Sequence, residues 1–277
     1  MAPDTQIAKL LADIASCHSA DLPGKRLPFF AGIQHIGYVK PEFAEQLCAL
    51  EPSITRSAGK LIMPDVLLPH LNRLAVSAGA PVRHEDFDVR ATPDGKVLGV
   101  LDRGALPSFG VLGQGVHMNG LVRKPDGVQL WVARRAANKK LDPGKLDHLV
   151  AGGIPAGYGP FETLLKEAAE EAGLDETLTS QAREVAQFRY DMDRPEGLRR
   201  DKIYVYDLEL PDDFQPHAVD GEVESFELWP LMQVRDALLT TDSFKFNVIL
   251  VLTDLLIRYG LFTPAQAADL QSALRPS

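Results

Sequence analysis

The stretch Ala151–Leu174, AGGIPAGYGPFETLLKEAAEEAGL, constrains this chain more than any other. Strong helix formers run through it with no β-branched residue after Thr163, so a helix is expected from about Pro160 to Ala172, closed by Gly173. On that helix Glu167, Glu170 and Glu171 stand at i, i+3 and i+4 and share one face, where like charges repel by a few tenths of a kcal/mol per pair. A divalent cation reverses that sign, because Mg²⁺ takes hard oxygen ligands and shares them among a few carboxylates, water and substrate phosphates. Leu164, Leu165, Ala168 and Ala172 form the opposite, apolar stripe. The helix can therefore pack by one side and hold metal with the other. The competing reading is a solvated face, with Glu162 and Lys166 forming an i, i+4 pair and the other glutamates meeting water. The glycines before the helix and Gly173-Leu174 after it favour the metal.

The residues resemble the Nudix box: a glycine, five residues, Glu, seven residues, then Arg-Glu-apolar-any-Glu-Glu-any-Gly-apolar. Aligned on Glu170-Glu171-Ala172-Gly173-Leu174, the opening glycine is Gly152 and the first acidic ligand Glu167. Tyr158 stands where the family's first Glu belongs, Lys166 replaces the Arg, and Ala168 is smaller than the usual apolar residue. The resemblance implies an α+β fold, a Nudix α/β/α sandwich, over roughly residues 113 to 260. It also implies hydrolysis of a phosphoanhydride bond with Mg²⁺ as cofactor, or Mn²⁺ in its place. Glu167, Glu170 and Glu171 would be the metal ligands, and Lys166 would hold a neighbouring glutamate in position. Family members often place a further acidic residue in the loop that here reads Asp220-Gly221-Glu222-Val223. Glu222 is accordingly the candidate base or additional ligand, against the alternative of a surface glutamate. Tyr158 and Lys166 suggest fewer metal ions or weaker binding.

A narrower likeness extends over nearly the whole chain. Gly115-Val116-His117-Met118-Asn119-Gly120, Trp131-Val132-Ala133-Arg134-Arg135, Pro143-Gly144, Asp147, Ala151-Gly152-Gly153 and Phe244-Lys245-Phe246-Asn247 resemble the thiamine-pyrophosphokinase-related Nudix hydrolases. These carry an extra N-terminal domain, and some act on oxidised thiamine diphosphate analogues. The substrate implied is a small diphosphate such as thiamine diphosphate, cleaved to the monophosphate. ADP-ribose or another nucleoside diphosphate compound is the rival, and a Nudix-like module that binds without hydrolysis, or an interaction protein with a merely solvated acidic helix, are the other readings.

Substrate contacts are sought among the cations between the second hairpin and the glycine-rich loop, chiefly Arg134 and Lys139 with Arg135, Lys140 and Lys145 nearby, where an acidic protein could meet an anion. Backbone amides of Gly152 and Gly153 could meet phosphate oxygens, as helix starts do. Tyr190, with Trp131, Phe188, Tyr204 and Tyr206, offers a ring for stacking, although strand aromatics usually belong to a core.

A net charge of -9 disfavours a general nucleic-acid surface. The longest apolar run, Val248 to Ile257, is interrupted by Asp254 and falls short of the roughly 20 residues a spanning helix needs. The amino terminus, with Asp4, Lys9 and Asp13 among its apolar residues, does not read as a secretory signal. A cytoplasmic protein without membrane contact is expected, and a homodimer is compatible with the sequence. Cys17 and Cys48 are the only cysteines and read as buried thiols.

Along the chain, Ile7, Leu10, Leu11 and Ile14 mark an opening helix. A strand-like stretch follows around Phe29 to Val39, then helices from Pro41 and from about Pro69 to Ala78. Phe87 to Ala91 and Val97 to Leu101 form a hairpin around Thr92-Pro93-Asp94-Gly95, and Val116 to Arg123 with Val128 to Arg134 form a second. Residues 1 to about 112 are read as a small α+β accessory domain whose His18, His35, His70 and His84 are structural, and residues 113–277 as the Nudix domain. Val185 to Tyr190 and Ile203 to Leu210 are read as strands joined by a charged loop, Asp191 to Asp201. Helices are expected over Leu231 to Leu239, Phe244 to Tyr259, and from Thr263-Pro264 onward.

Overall fold

The computed structural model describes residues 4–138, 141–219 and 221–275. The first part of the chain contains α1 (Asp4–Cys17), β1 (Leu27–Ala31), β2 (Gln34–Val39), α2 (Pro41–Leu50), β3 (Thr55–Ser57), β4 (Lys60–Met63), a 3₁₀ turn (Asp65–His70), α3 (Leu71–Ser77), β5 (Asp86–Val89), β6 (Gly99–Asp102) and α4 (Leu106–Phe109). The expected strand Phe29 to Val39 is a hairpin folded about Gly32, whose φ of 54° is the left-handed value a glycine takes without strain. Strands β2-β1-β4-β3 form one sheet and β5-β6 a separate antiparallel pair. Phe29, Leu47, Leu61, Leu71, Val89, Leu101 and Phe109 meet in the core of this region.

The remainder comprises β7 (Leu112–Lys124), β8 (Gly127–Arg135), β9 (Leu146–Asp147), β10 (Val150–Gly153), α5 (Pro160–Ala172), α6 (Glu176–Thr179), β11 (Arg183–Arg194), β12 (Gly197–Leu210), β13 (Val223–Pro230), α7 (Leu231–Thr240), α8 (Val248–Arg258) and α9 (Pro264–Leu274). Its sheet runs β11-β12-β7-β8-β13, with β10 added to β7 and β9 to β8; β12 and β7 are parallel and the other pairs antiparallel. The charged segment Asp191 to Asp201 is mostly paired strand. Its charges are matched locally, Arg200 to Asp191 at 2.8 Å and Arg199 to Asp201 at 2.6 Å, so the ladder continues to a tight turn after Arg194.

Side-chain alternation gives this sheet two buried faces. Val116, Met118, Trp131, Val150, Tyr204 and Tyr206 pack with Leu164, Ala168 and Ala172 of α5. Leu121, Leu130, Val132, Phe188, Tyr190, Ile203 and Val205 pack against α7, α8 and α9. The apolar stripe of α1, Ile7, Leu10, Ile14 and Cys17, also joins this second face. The result is the α+β architecture with helices on both sides of a mixed sheet. Burial pushes the Cys17 thiol up to about 12, an inert group. Among the described residues no helix is long and apolar enough to cross a membrane.

Candidate active site

Helix α5 starts at Pro160, whose fixed φ suits the first helical position, and Thr163 N–H donates to the carbonyl of Gly159 at 3.0 Å. It stops at Gly173 with φ 65°, and a Cβ there would come under 3.0 Å from the His217 ring. The loop after β12 then runs back along this helix end. His217 N–H donates to the carbonyl of Ala172 at 3.2 Å and Val219 N–H to that of Glu170 at 3.1 Å, satisfying carbonyls the helix leaves without partners. The same loop leads to Glu222, whose carbonyl accepts from Ala136 N–H at 3.0 Å.

The three glutamates of α5 occupy three environments. Glu171 is buried, and its Oε2 accepts the Ala151 N–H at 2.7 Å, anchoring the helix to β10. Glu167 lies against Gly152, where any Cβ would come under 3.0 Å from its Cγ, Cδ and Oε2. Burial raises the Glu167 carboxyl above its ordinary value. Lys166 opposes that shift, while the charges of Glu170 and Glu222 add to it. Glu170 faces outward and accepts from Lys166 Nζ at 2.6 Å; the same ammonium lies 3.4 Å from Glu167. Bonding to Glu170 raises the Lys166 pKa, so the ammonium stays charged. The structure thus gathers Gly152, Lys166, Glu167, Glu170 and Glu171 at one end of β10, near enough to Glu222 for its charge to be felt at Glu167.

Other expected residues lie elsewhere. Tyr190 is no stacking platform: it is buried on the α8 side of the sheet, where its hydroxyl donates to Asp201 at 2.5 Å and accepts from Asn247 Nδ2 at 3.3 Å. Phe188 is buried on that side as well, and Trp131 and Tyr206 are buried beneath α5. Arg134 donates to the carbonyl of Gly144 at 3.1 Å, bracing the turn before β9. Gly153 allows close approach of Phe87, which a Cβ would strike. Lys139 lies outside the described residues.

A second cluster of ligating atoms has no signature in the sequence. His117, Asp147 and His148 are buried within 4.8 Å of one another. His117 Nδ1 and His148 Nδ1 are 2.8 Å apart, while Arg135 and Lys245 bind the same Asp147 oxygen at 2.7 and 3.2 Å. Burial lowers both imidazoles, His148 to about 4, so the rings are neutral, and the Lys245 charge keeps Asp147 ionised. One carboxylate already faces two cations here, so a divalent ion would enter against them. At α5 one ammonium, Lys166, is shared by Glu167 and Glu170, and Glu171 is held by a neutral backbone amide, so charge favours that seat. Asp147 and Lys245 were visible as parts of separate motifs; only the sheet brings them together.

The NUDIX domain family model matches residues 114–250. The chain is 36% identical over 275 residues to Nudix hydrolase 20, chloroplastic, of Arabidopsis thaliana, covering 91% of this chain and 73% of that protein. To Nudix hydrolase 24, chloroplastic, of the same plant it is 35% identical over 268 residues, again covering 91% and 73%. The solved structure of DR0079 from Deinococcus radiodurans is similar at 20% identity and a TM-score of 0.47, covering 61% of this chain and 98% of that one.

Proposed function

This chain belongs to the Nudix family, is an enzyme of the pyrophosphohydrolase kind, and from that premise we propose that α5 holds a Mg²⁺ ion against a small diphosphate whose phosphoanhydride bond is cleaved by water. The observation that carries the reading is the Glu167 carboxyl, laid on the bare backbone of Gly152 and ringed by the charges of Glu170 and Glu222. Such a group of acids costs stability without a counter-ion, and Lys166 offsets only part of that cost. Glu167, Glu170 and Glu171 fit an oxygen-liganded cation by donor type, and Mn²⁺ would suit the same donors. The bound ion supplies charge neutralisation on the phosphates and a lower pKa for the attacking water.

The chain's own residues do the positioning. Glu171, fixed by Ala151 N–H, ties the acidic helix face to β10. Lys166 spans Glu167 and Glu170, the place the family arginine takes, but as a flexible point charge without a bidentate fork. Glu222 enters from a separate loop beside Glu167 and is assigned the role of accepting the water's proton. Lys139, the Gly153 amide and Arg134, through nitrogens other than the Nη1 that braces Gly144, are the proposed contacts to substrate oxygens, while the Gly152 amide faces β7 within the sheet. Thiamine diphosphate or its oxidised form is the proposed substrate. The support is the set of subgroup motifs between Gly115 and Asn247, together with two plant Nudix hydrolases that resemble 91% of the chain.

A panel of diphosphates incubated with Mg²⁺, with products identified by mass, tests the reading. It should include thiamine diphosphate, its oxidised form and ADP-ribose. Release of phosphate from a thiamine compound is expected. Glu170→Gln should lower turnover by at least a hundredfold while the fold survives, since the Glu170 side chain is half exposed and meets Lys166 at its carboxylate. Unaltered turnover in this variant would remove the site, and turnover of ADP-ribose alone would replace the substrate.

A further inference from the structure

Beside α5 the β5–β6 hairpin closes over the large sheet and leaves a pocket of about 170 Å³. Phe87, Asp88 and Asp94 come from the hairpin, and Gln114, Tyr158 and Tyr204 from the sheet and the loop before α5. Here we infer that this pocket is the specificity subsite of the enzyme, taking a flat heteroaromatic ring that bears an amino group. The inference rests on the hydrolase reading for the direction in which substrate lies.

Position is the first argument. Gly152 touches Glu167, Gly153 touches Phe87, and Ile154 lines the pocket, so two steps along the chain lead from the acidic cluster to the ring site. At about 3.3 Å per extended residue this is roughly 7 Å, the reach of a phosphate ester and a short linker. Size is the second. Pockets that enclose a whole small-molecule ligand run to roughly 300–1,000 Å³, so this one accommodates only one end of a substrate.

Chemistry is the third. Tyr158 supplies the open aromatic surface, and Phe87 and Tyr204, both buried, line the pocket as its walls. The carboxylate of Asp88 lies between Arg90 at 2.8 Å and Gly157 N–H at 3.3 Å. Asp88 and Asp94, paired with Arg90 and Lys202, each have further lone-pair sites that can accept from a ring amino group.

The walls are built rather than incidental. Gln114 donates to the carbonyl of Pro93 in the hairpin turn at 2.9 Å and accepts from the Tyr204 hydroxyl at 3.2 Å. Lys202 reaches Asp94 at 3.2 Å, and Ala156 N–H bonds the carbonyl of Asp86 at 2.7 Å. The departure of Tyr158 from the family's glutamate thereby acquires a role: the position supplies a pocket wall in place of a carboxylate.

Tyr158→Ala tests this, because the residue is 40% exposed and belongs to none of the buried clusters. With Mg²⁺, KM for thiamine diphosphate or ADP-ribose, whichever the native protein hydrolyses, should rise about tenfold, with kcat within about threefold, as loss of one stacking partner predicts. KM for isopentenyl diphosphate, which has no ring, should not move, and Tyr158→Phe should restore the native value. Calorimetry with AMP and with thiamine monophosphate in the absence of metal supplies the second arm. At least one should bind the native protein and bind Tyr158→Ala about tenfold more weakly, and which one binds tells adenine from aminopyrimidine. Equal shifts for ringed and ringless diphosphates, equal affinity in both proteins, or no binding of either monophosphate overturns the subsite. Ring binding that depends on Tyr158, in a protein that hydrolyses no diphosphate, would keep the subsite and reject the hydrolase.

Discussion

Gly152 shows how much of the site depends on a missing side chain. A methyl there would occupy the space of the Glu167 carboxylate. The obstructing atoms belong to a long, movable side chain, so Gly152→Ala should fold with a penalty of about 1 kcal/mol while displacing Glu167. Turnover at least tenfold lower with a nearly unchanged melting temperature is expected; kinetics and thermal melts on one preparation decide it. At the buried histidines the expectation concerns pH. His148 takes up its proton near 6.5 when unfolded and only near about 4 when folded, and His117 is lowered in the same direction. Between those values the unfolded chain binds more protons, so this contribution to stability is complete above about pH 6.5 and is lost as the pH falls toward 4. The slope reaches about 1.4 kcal/mol per pH unit for each histidine. Urea unfolding at pH 7, 6 and 5 should follow that decline, and a flat profile would contradict it. Residue identity announced the glutamates of α5 because helical spacing is local. It could not reveal that Tyr190 points away from them, since alternation along a strand tells which residues share a face and not which face is which.

Among the elements, α5 was readable from end to end because Pro160 and Gly173 mark its limits within the sequence itself. The hairpin turns at Asp94-Gly95 and Asp126-Gly127 were readable for the same reason. The parallel pairing of β12 with β7 was not, because partner choice between residues 88 apart, as Arg200 and Leu112 are, is settled by the assembled sheet. The one-turn helix α6, capped by Asp175 accepting from Leu178 N–H at 2.8 Å, is too short to show a period in the sequence. Helix α5 and the loop behind it work as a pair. Gly173→Ala would place a side chain at positive φ and against the His217 ring, costing about 1–3 kcal/mol. Because that ring belongs to the loop that delivers Glu222, turnover should fall together with the melting temperature. A melting loss with native turnover at low temperature would show that the loop moves independently of the helix.

Over the whole molecule, packing does not follow the chain. Residues 27 to 111 contribute to a core of their own, yet α1 buries Ile7, Leu10, Ile14 and Cys17 against the layer formed by α7, α8 and α9. Lys9 adds a bond to the carbonyl of Thr241 at the end of α7, at 3.0 Å. Burying each large apolar side chain contributes about 1.5–3 kcal/mol, so the three aliphatic residues of α1 together approach the 5–15 kcal/mol by which a whole domain is stable. Deleting residues 1–20 should abolish cooperative unfolding by calorimetry, although the Nudix signature lies far downstream; a sharp native-like transition would refute this. The sequence showed α1 as amphipathic but held no sign of its distant partner. Phe87 resting on Gly153 has a consequence for protein engineering. Chimaeras that exchange the front region between relatives must carry a residue at 87 whose shape matches that glycine, or the recipient's β10 will be pushed out of line by its new neighbour.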